Sequence, residues 1–295
     1  MTANYIRATL AILVLGMGSV YAQTQKPGTP KVSKSTVVFF DDFSTPALDR
    51  SKWNVIVTGF NVNDEKQAYA DSSATLYTVK GARAEGAKNG ALVIEPVYHR
   101  GYVTPDGQKF DFLSGRIDTR SKIEFTYGTA SARIKMAKGP GLWPAFWALG
   151  NGDWPQTGEI DIMENVGEAD WTSVALHGPG YSGETPLVNK VFFKKNFDAT
   201  QWHVYSVDWT KNELKFKIDG EVIYRVTRPM VENYGKWAYD NPKYLILNLA
   251  LGGAYPVKTN GVKKPYAGIP ESTLQLIKDK KAKFMIDWVK ITRND

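Results

Sequence analysis

Residues 214–226, LKFKIDGEVIYRV, alternate apolar and polar side chains on either side of Asp219-Gly220. Alternation with a period of two is the signature of a strand, and an Asp-Gly pair between two such runs predicts a tight two-residue hairpin. This stretch therefore has little choice but antiparallel sheet. Runs of the same kind recur as ALVIEPV (91–97), SKIEFTY (121–127), SARIKMA (131–137), HVYSVDW (203–209), YLILNLAL (244–251) and KFMIDWVKI (283–291). Each is bounded by Gly, Pro, Asn or Asp clusters. Helical periods are short, with VENYGKWAY (231–239) and ESTLQLIKDK (271–280) the best candidates. Many strands, few helices and no internal repeat predict a single all-β sandwich.

The ends and the composition narrow the setting. Residues 1–22 read as a secretory signal, with Arg7 in a short n-region, the apolar stretch ATLAILVLGMGSV and Val20-Tyr21-Ala22 as the cleavage site. Residues 23–37 read as a flexible leader, and 38–295 as the folded domain. The apolar stretch is shorter than the roughly 20 residues that span a bilayer, so the expectation is an exported protein with no membrane span. The chain has no cysteine, which excludes disulfides, thiolate nucleophiles and cysteine-bound metals. Its formal charge of +7 is scattered among acids and forms no basic stripe, so nucleic acid is not an expected partner. A monomer is expected.

The segment GEIDIMEN (158–165) places Glu159, Asp161 and Glu164 among Ile160, Ile162 and Met163. On a regular strand Glu159 and Asp161 share a face while Glu164, five residues on, faces the other way. One extra residue, a β-bulge near Ile162 or Met163, brings all three together. Four strand steps cover roughly 13 Å, and two inclined Glu side chains across that span can meet the ~5 to 5.5 Å carboxyl separation of retaining glycoside hydrolysis. Asp161 between them can push the two glutamate pKa values apart. Taken alone, an E-x-D pair reads first as the solvent face of an edge strand, since most acids are surface residues. Just upstream, however, GPGLWPAFWALGNGDWP gathers Trp143, Phe146, Trp147 and Trp154, and aromatic faces beside acids suit a carbohydrate cleft as well as a core.

GLWPAFWALG followed by GEIDIMEN resembles the laminarinase-like endo-β-1,3-glucanases of glycoside hydrolase family 16. FFDDF (39–43), NVNDEKQAY (61–69), SGRIDT (114–119), YGTASARIKM (127–136), LHGPGYSG (176–183), LNLALGGAYP (247–256) and MIDWVKI (285–291) extend the resemblance. It implies a concanavalin-like β-jelly-roll sandwich with a concave substrate cleft. Glu159 would be the nucleophile, Glu164 the general acid/base, and Asp161 the residue that shares protons with Glu159. The chemistry would be a double displacement with retained configuration. Trp143 and Trp147 match the sugar platform, Asn63 and Arg116 match polar positions that contact glucose hydroxyls, and His177 matches a histidine near the reacting ring. Trp154, Trp171 and Tyr181 are candidate cleft walls without assigned roles, and His99 and His203 are read as structural.

The resemblance requires no cofactor for catalysis but implies a structural calcium held by backbone oxygens at Asp42 and Gly90 and by the carboxylate of Asp287, hard oxygen ligands of the kind calcium takes. Two departures touch the cleft: YGTASAR lacks the Arg and Glu that usually follow YG, and Tyr255 replaces a common Trp. The expected activity is endo-hydrolysis of β-1,3-glucan after export, in the extracellular medium or the periplasm. A mixed-linkage β-1,3-1,4-glucanase or a transglycosylase on the same scaffold is the alternative, and a lectin-like glucan-binding module is the alternative of a different class.

Overall fold

The computed structural model describes residues 35–60 and 62–294, so the expected signal and the expected leader up to residue 34 lie outside the described residues; Ser35–Val37, expected at the end of the leader, are instead the first residues of a strand paired with the last one, and the fold begins three residues earlier than expected. In chain order the strands are β1 (Ser35–Asp41), β2 (Asn54–Val55), β3 (Gln67–Tyr69), β4 (Leu76–Val79), β5 (Ala91–Ile94), β6 (Val97–Val103), β7 (Lys109–Ser114), β8 (Arg116–Asp118) and β9 (Gly128–Met136). They continue as β10 (Leu142–Gly150), β11 (Glu159–Glu164), β12 (Trp171–His177), β13 (Leu187–Phe192), β14 (His203–Trp209), β15 (Glu213–Ile218) and β16 (Glu221–Thr227). A short helix α1 (Arg228–Glu232), β17 (Lys243–Leu251), helices α2 (Ala254–Asn260) and α3 (Glu271–Lys278), and β18 (Phe284–Asn294) complete the fold.

The architecture is the expected jelly-roll sandwich. One sheet runs β16-β15-β14-β9-β18-β5-β4, with β1 also on β18; the facing sheet runs β13-β12-β11-β10-β17-β8-β2; a small third sheet runs β3-β7-β6. Alternation explains the layering. On β15, Leu214, Phe216 and Ile218 are buried while the residues between them are half-exposed. β17 is buried at all nine positions, as a near-continuous apolar run in a central strand requires. Side chains from both inner faces, among them Trp53, Phe112, Phe146, Trp209 and Phe216, form one core.

The Asp219-Gly220 hairpin is present, with both turn residues at positive φ. SKIEFTY is not a strand. Ser121 and Tyr127 both sit at positive φ, and Phe125 makes a single bridge to Lys243, so the apolar residues serve as plugs in a turn. VENYGKWAY is helical only through Glu232. Gly235 lies where a Cβ would be 1.9 Å from the Pro179 carbonyl, and this close crossing of two loops replaces the helix. ESTLQLIKDK is helical as α3.

Candidate active site

Strand β11 carries the bulge. Asp161 lies opposite Ala175 and Glu164 opposite Ser173 on β12, so three residue steps on β11 match two on its neighbour. On the other side Asp161 pairs with Trp147 and Met163 with Phe146, leaving Ile162 as the extra residue. Ile160, Ile162 and Met163 are all buried in the core. Both flanking ladders thus put Glu159, Asp161 and Glu164 on the outer face of the seven-stranded sheet. The approach to β11 is fixed by Gly158: its φ is 72° and a Cβ there would sit 2.5 Å from the Ala238 carbonyl, so glycine is required.

Each outer acid has an indole donor. Trp143 Nε1 donates to Glu164 Oε1 at 3.0 Å, and Trp154 Nε1 donates to Glu159 Oε2 at 2.8 Å. Asp161 is 3% exposed. Its Oδ2 makes no hydrogen bond but lies 3.3 Å from His177 Nε2, which is 3.9 Å from Glu159 Oε1. His177 Nδ1 accepts from the Gly183 N–H at 3.2 Å, so the proton of a neutral ring is on Nε2, facing the acids. The backbone carbonyl of His177 is held by the Tyr239 hydroxyl.

All three carboxyls are pushed toward protonation. Burial raises Glu159 and Asp161 well above the usual carboxylate range, and the charges of neighbouring acids add to it: Asp161 acting on Glu159, and Glu164 on Asp161. Burial also raises Glu164, against the opposing effect of the Trp143 hydrogen bond and of His177. Neighbouring carboxyls withdrawn from water repel one another when charged, so each favours the protonated form of the others. Such a set holds protons, with Asp161, the most enclosed, raised in spite of its link to Glu159. The arrangement can keep one carboxylate as nucleophile and another as proton donor.

Beside the acids lies a polar floor. Trp147 Nε1 donates to Asn248 Oδ1 at 2.7 Å, Asn248 Nδ2 donates to the Tyr69 hydroxyl at 3.0 Å, and the Arg116 guanidinium stacks over Trp147 at 5.0 Å. Asn63 is exposed at the edge with φ 56°. Its carbonyl accepts from Ala254 N–H at 2.7 Å, tying this loop to the first residue of α2, the helix that carries Tyr255. Trp143 packs edge-on against Tyr255, 5.3 Å between ring centres, in a cluster with Val166, Trp171 and Ala250. Tyr181, a candidate wall, instead belongs to the main core. His203 is structural: its ring bridges Asp219 and the Asp198 carbonyl.

Sequence reading gave no role to two residues that shape the site. Glu65, on the same loop as Asn63, accepts from Gln67 Nε2 at 2.7 Å and carries a charge that acts on Glu164. Its signal was its place in NVNDEKQAY. Lys243 is fully buried, with Nζ at 2.6 Å from the Thr157 carbonyl, 3.3 Å from that of Ala238 and 3.0 Å from Asn241 Oδ1. Burial lowers its pKa to about 7. It anchors the loop that delivers Trp154 and Gly158 to Glu159. A lysine inside an apolar run at the head of β17 was the available clue.

Two of the three residues expected at a calcium ion, Asp42 and Asp287, line one groove of about 410 Å³. Asp42 and Asp287 face it together with Lys88, Asn89, Arg133 and Lys290, and Gly90 packs under the Phe43 carbonyl. Asp287 is already paired with the Arg133 guanidinium and accepts the Lys88 N–H, while Asp42 accepts from Asn89 and Ser44. With a guanidinium seated on the main carboxylate and two lysines at the rim, these donors do not fit a calcium ion as arranged. Among the described residues, the acid and histidine groups close enough to share a metal are Glu159, Asp161 and His177.

Residues 52–290 match the family described as glycosyl hydrolases family 16, and the chain belongs to that family. A beta-glucanase of Rhodothermus marinus is 32% identical over 74% of this chain and 76% of its own length. The glucan endo-1,3-beta-glucosidase A1 of Niallia circulans is 29% identical over 85% of this chain, yet the match spans only 38% of that longer protein. Among solved structures, the endo-beta-1,3-glucanase of Pyrococcus furiosus superimposes with a TM-score of 0.75 at 30% identity, covering 88% of this chain and 95% of that one.

Proposed function

We propose that this chain is a secreted, endo-acting hydrolase of β-1,3-glucan that retains configuration through a covalent glycosyl-enzyme. The observation that carries the reading is the bulge at Ile162, which turns Glu159, Asp161 and Glu164 to one face and leaves an indole donor on each outer acid. Glu159, ionised and held by Trp154, attacks the anomeric carbon. Glu164, carrying a proton, gives it to the departing glycosidic oxygen. In the second step Glu164 takes a proton from water, which displaces Glu159 from the sugar. Asp161 holds a proton against Glu159 while it is charged and so limits repulsion within the trio. Trp147, Asn248 and Arg116 offer a stacking face and hydrogen bonds to the sugar beside the reacting centre.

The β-1,3 preference is supported by the relatives described as endo-1,3-beta-glucosidases and laminarinases. A mixed-linkage preference is favoured by another relation: a structure titled a non-specific endo-beta-1,3(4)-glucanase aligns at 28% identity with a TM-score of 0.73. A binding module is the reading suggested by the 30% identity to a beta-1,3-glucan-binding protein of Penaeus monodon, but a binder gains nothing from crowding three buried acids. Export is supported by the signal pattern of residues 1–22. The test is product analysis on laminarin and lichenan with wild type and Glu159→Gln, reading the first anomer by NMR. Release of β-anomers by wild type alone is expected; binding without release, or α-anomers first, overturns the reading.

A further inference from the structure

We propose that the edge strand β13, with Phe192, Lys190 and Val188, forms the leaving-group end of the cleft, an apolar platform for the glucan segment released when the chain is cut. The inference rests on the hydrolase reading above and extends it to residues without an assigned role.

The ladders place these side chains. Arg116, Asn248, Ala145, Glu164, Ser173 and Lys190 pair in sequence across β8, β17, β10, β11, β12 and β13. A transverse row therefore crosses the whole sheet, with Glu164 near its middle. On β12, Trp171, Ser173 and Ala175 share the face of the acids and lie opposite Phe192, Lys190 and Val188. The alternate residues of β13 turn inward: Leu187 packs on the core and Asn189 donates to the Ile223 carbonyl of the other sheet. Phe192 and Val188 are thus outside, 62% and 51% exposed, on the face that carries the chemistry.

Strands are spaced about 4.8 Å apart, so β13 lies about 10 Å from β11, the reach of about two sugar rings. The surface between is continuous. Trp143, which holds Glu164, is in one apolar cluster with Trp171, and the Lys190 ammonium sits 3.7 Å from the Trp171 ring centre and 5.2 Å from that of Phe192. The opposite flank is the polar floor of Arg116, Asn248 and Trp147. Trp143 stands on β10 and Trp171 on β12, so the apolar cluster passes beside Glu164 from one flank to the other; with the polar floor on the β10 side, the departing chain, whose oxygen Glu164 protonates, is assigned to the β12–β13 side. Sugar rings present apolar faces that stack on exposed aromatics, and Lys190 offers hydroxyl groups a donor held in place by two rings.

The experiment compares wild type with Phe192→Ala and Lys190→Ala on two substrates: β-1,3-linked glucose hexamers, and an aryl β-laminaribioside whose phenol fills only the first leaving-group position. The expected result is a roughly fivefold to tenfold loss of kcat/KM on the hexamer, with displaced cleavage positions and an unchanged rate on the aryl glycoside. Equal losses on both substrates, or none on the hexamer by an active wild type, overturn the platform. A wild type inactive on both overturns the hydrolase reading instead. If wild type is a dimer in solution and Phe192→Ala a monomer, strand β13 is an interface between copies and the platform is refuted.

Discussion

Replacing either indole donor should move one limb of the pH profile and leave the other in place. A hydrogen bond to an ionised group contributes about 1.5 to 3 kcal/mol, and about 1.4 kcal/mol corresponds to one pKa unit. Trp143 is buried and donates at 3.0 Å to Glu164, so Trp143→Phe should raise the Glu164 pKa by about one to two units. In the proposed double displacement Glu164 is protonated for the first step, so the alkaline limb of kcat/KM moves to higher pH. Trp154 donates at 2.8 Å to Glu159 but is 50% exposed. Water can replace much of its bond, and Trp154→Phe should raise Glu159 by about half a unit to one. Glu159 must be ionised, so here the acid limb moves up. The assay is kcat/KM on soluble laminarin from pH 3 to 10. Loss of packing on Tyr255 lowers rates at every pH without displacing a limb. Movement of the alkaline limb in Trp154→Phe, or of neither limb in both variants, would show that Glu159 and Glu164 do not hold these roles.

The trio also sets a pH-dependent cost on the fold. Carboxyls with pKa values raised by folding contribute stability at low pH that disappears as pH rises through their folded values. Asp161→Asn should therefore raise the Tm by about 2 to 4 °C at pH 8, for about 1 kcal/mol of relieved repulsion in a domain of this size, and by little near pH 4. Thermal melts at the two pH values decide, and an equal change at both would contradict the sign. At the groove of Asp42 and Asp287, chelation with EDTA should leave the wild-type Tm unchanged; a fall of more than about 5 °C would show that an ion displaces Arg133.

Strand identity was legible wherever alternation or an unbroken apolar run governed burial, as in β15 and β17. SKIEFTY failed because Ile123 and Phe125 serve a turn whose ends take positive φ, and turn geometry at non-glycine residues leaves little trace in composition. The acids were legible through their spacing, since an offset of five is inconsistent with a regular strand and a bulge restores it. The Trp154 and Trp143 hydrogen bonds, the tautomer of His177 and the carbonyl cage of Lys243 were not. Each joins residues distant in sequence or leaves from a loop, where periodicity carries no information. Arg133 was hidden for the same reason: nothing in SARIKMA indicates that its guanidinium meets Asp287 from β18.

The extra residue at Ile162 works as a phase change in the strand. Upstream of it odd-numbered positions look outward, and downstream the even-numbered Glu164 does, so the two halves obey opposite parity rules. Length changes in β11 are consequently not equivalent: removing Ile162 restores an ordinary ladder and still leaves the acids together, whereas losing Ile160 puts Glu159 and Asp161 on opposite faces. The strand can thus be shortened by one residue between Asp161 and Glu164 and keep its acids together, and that is the stretch where it already departs from regularity.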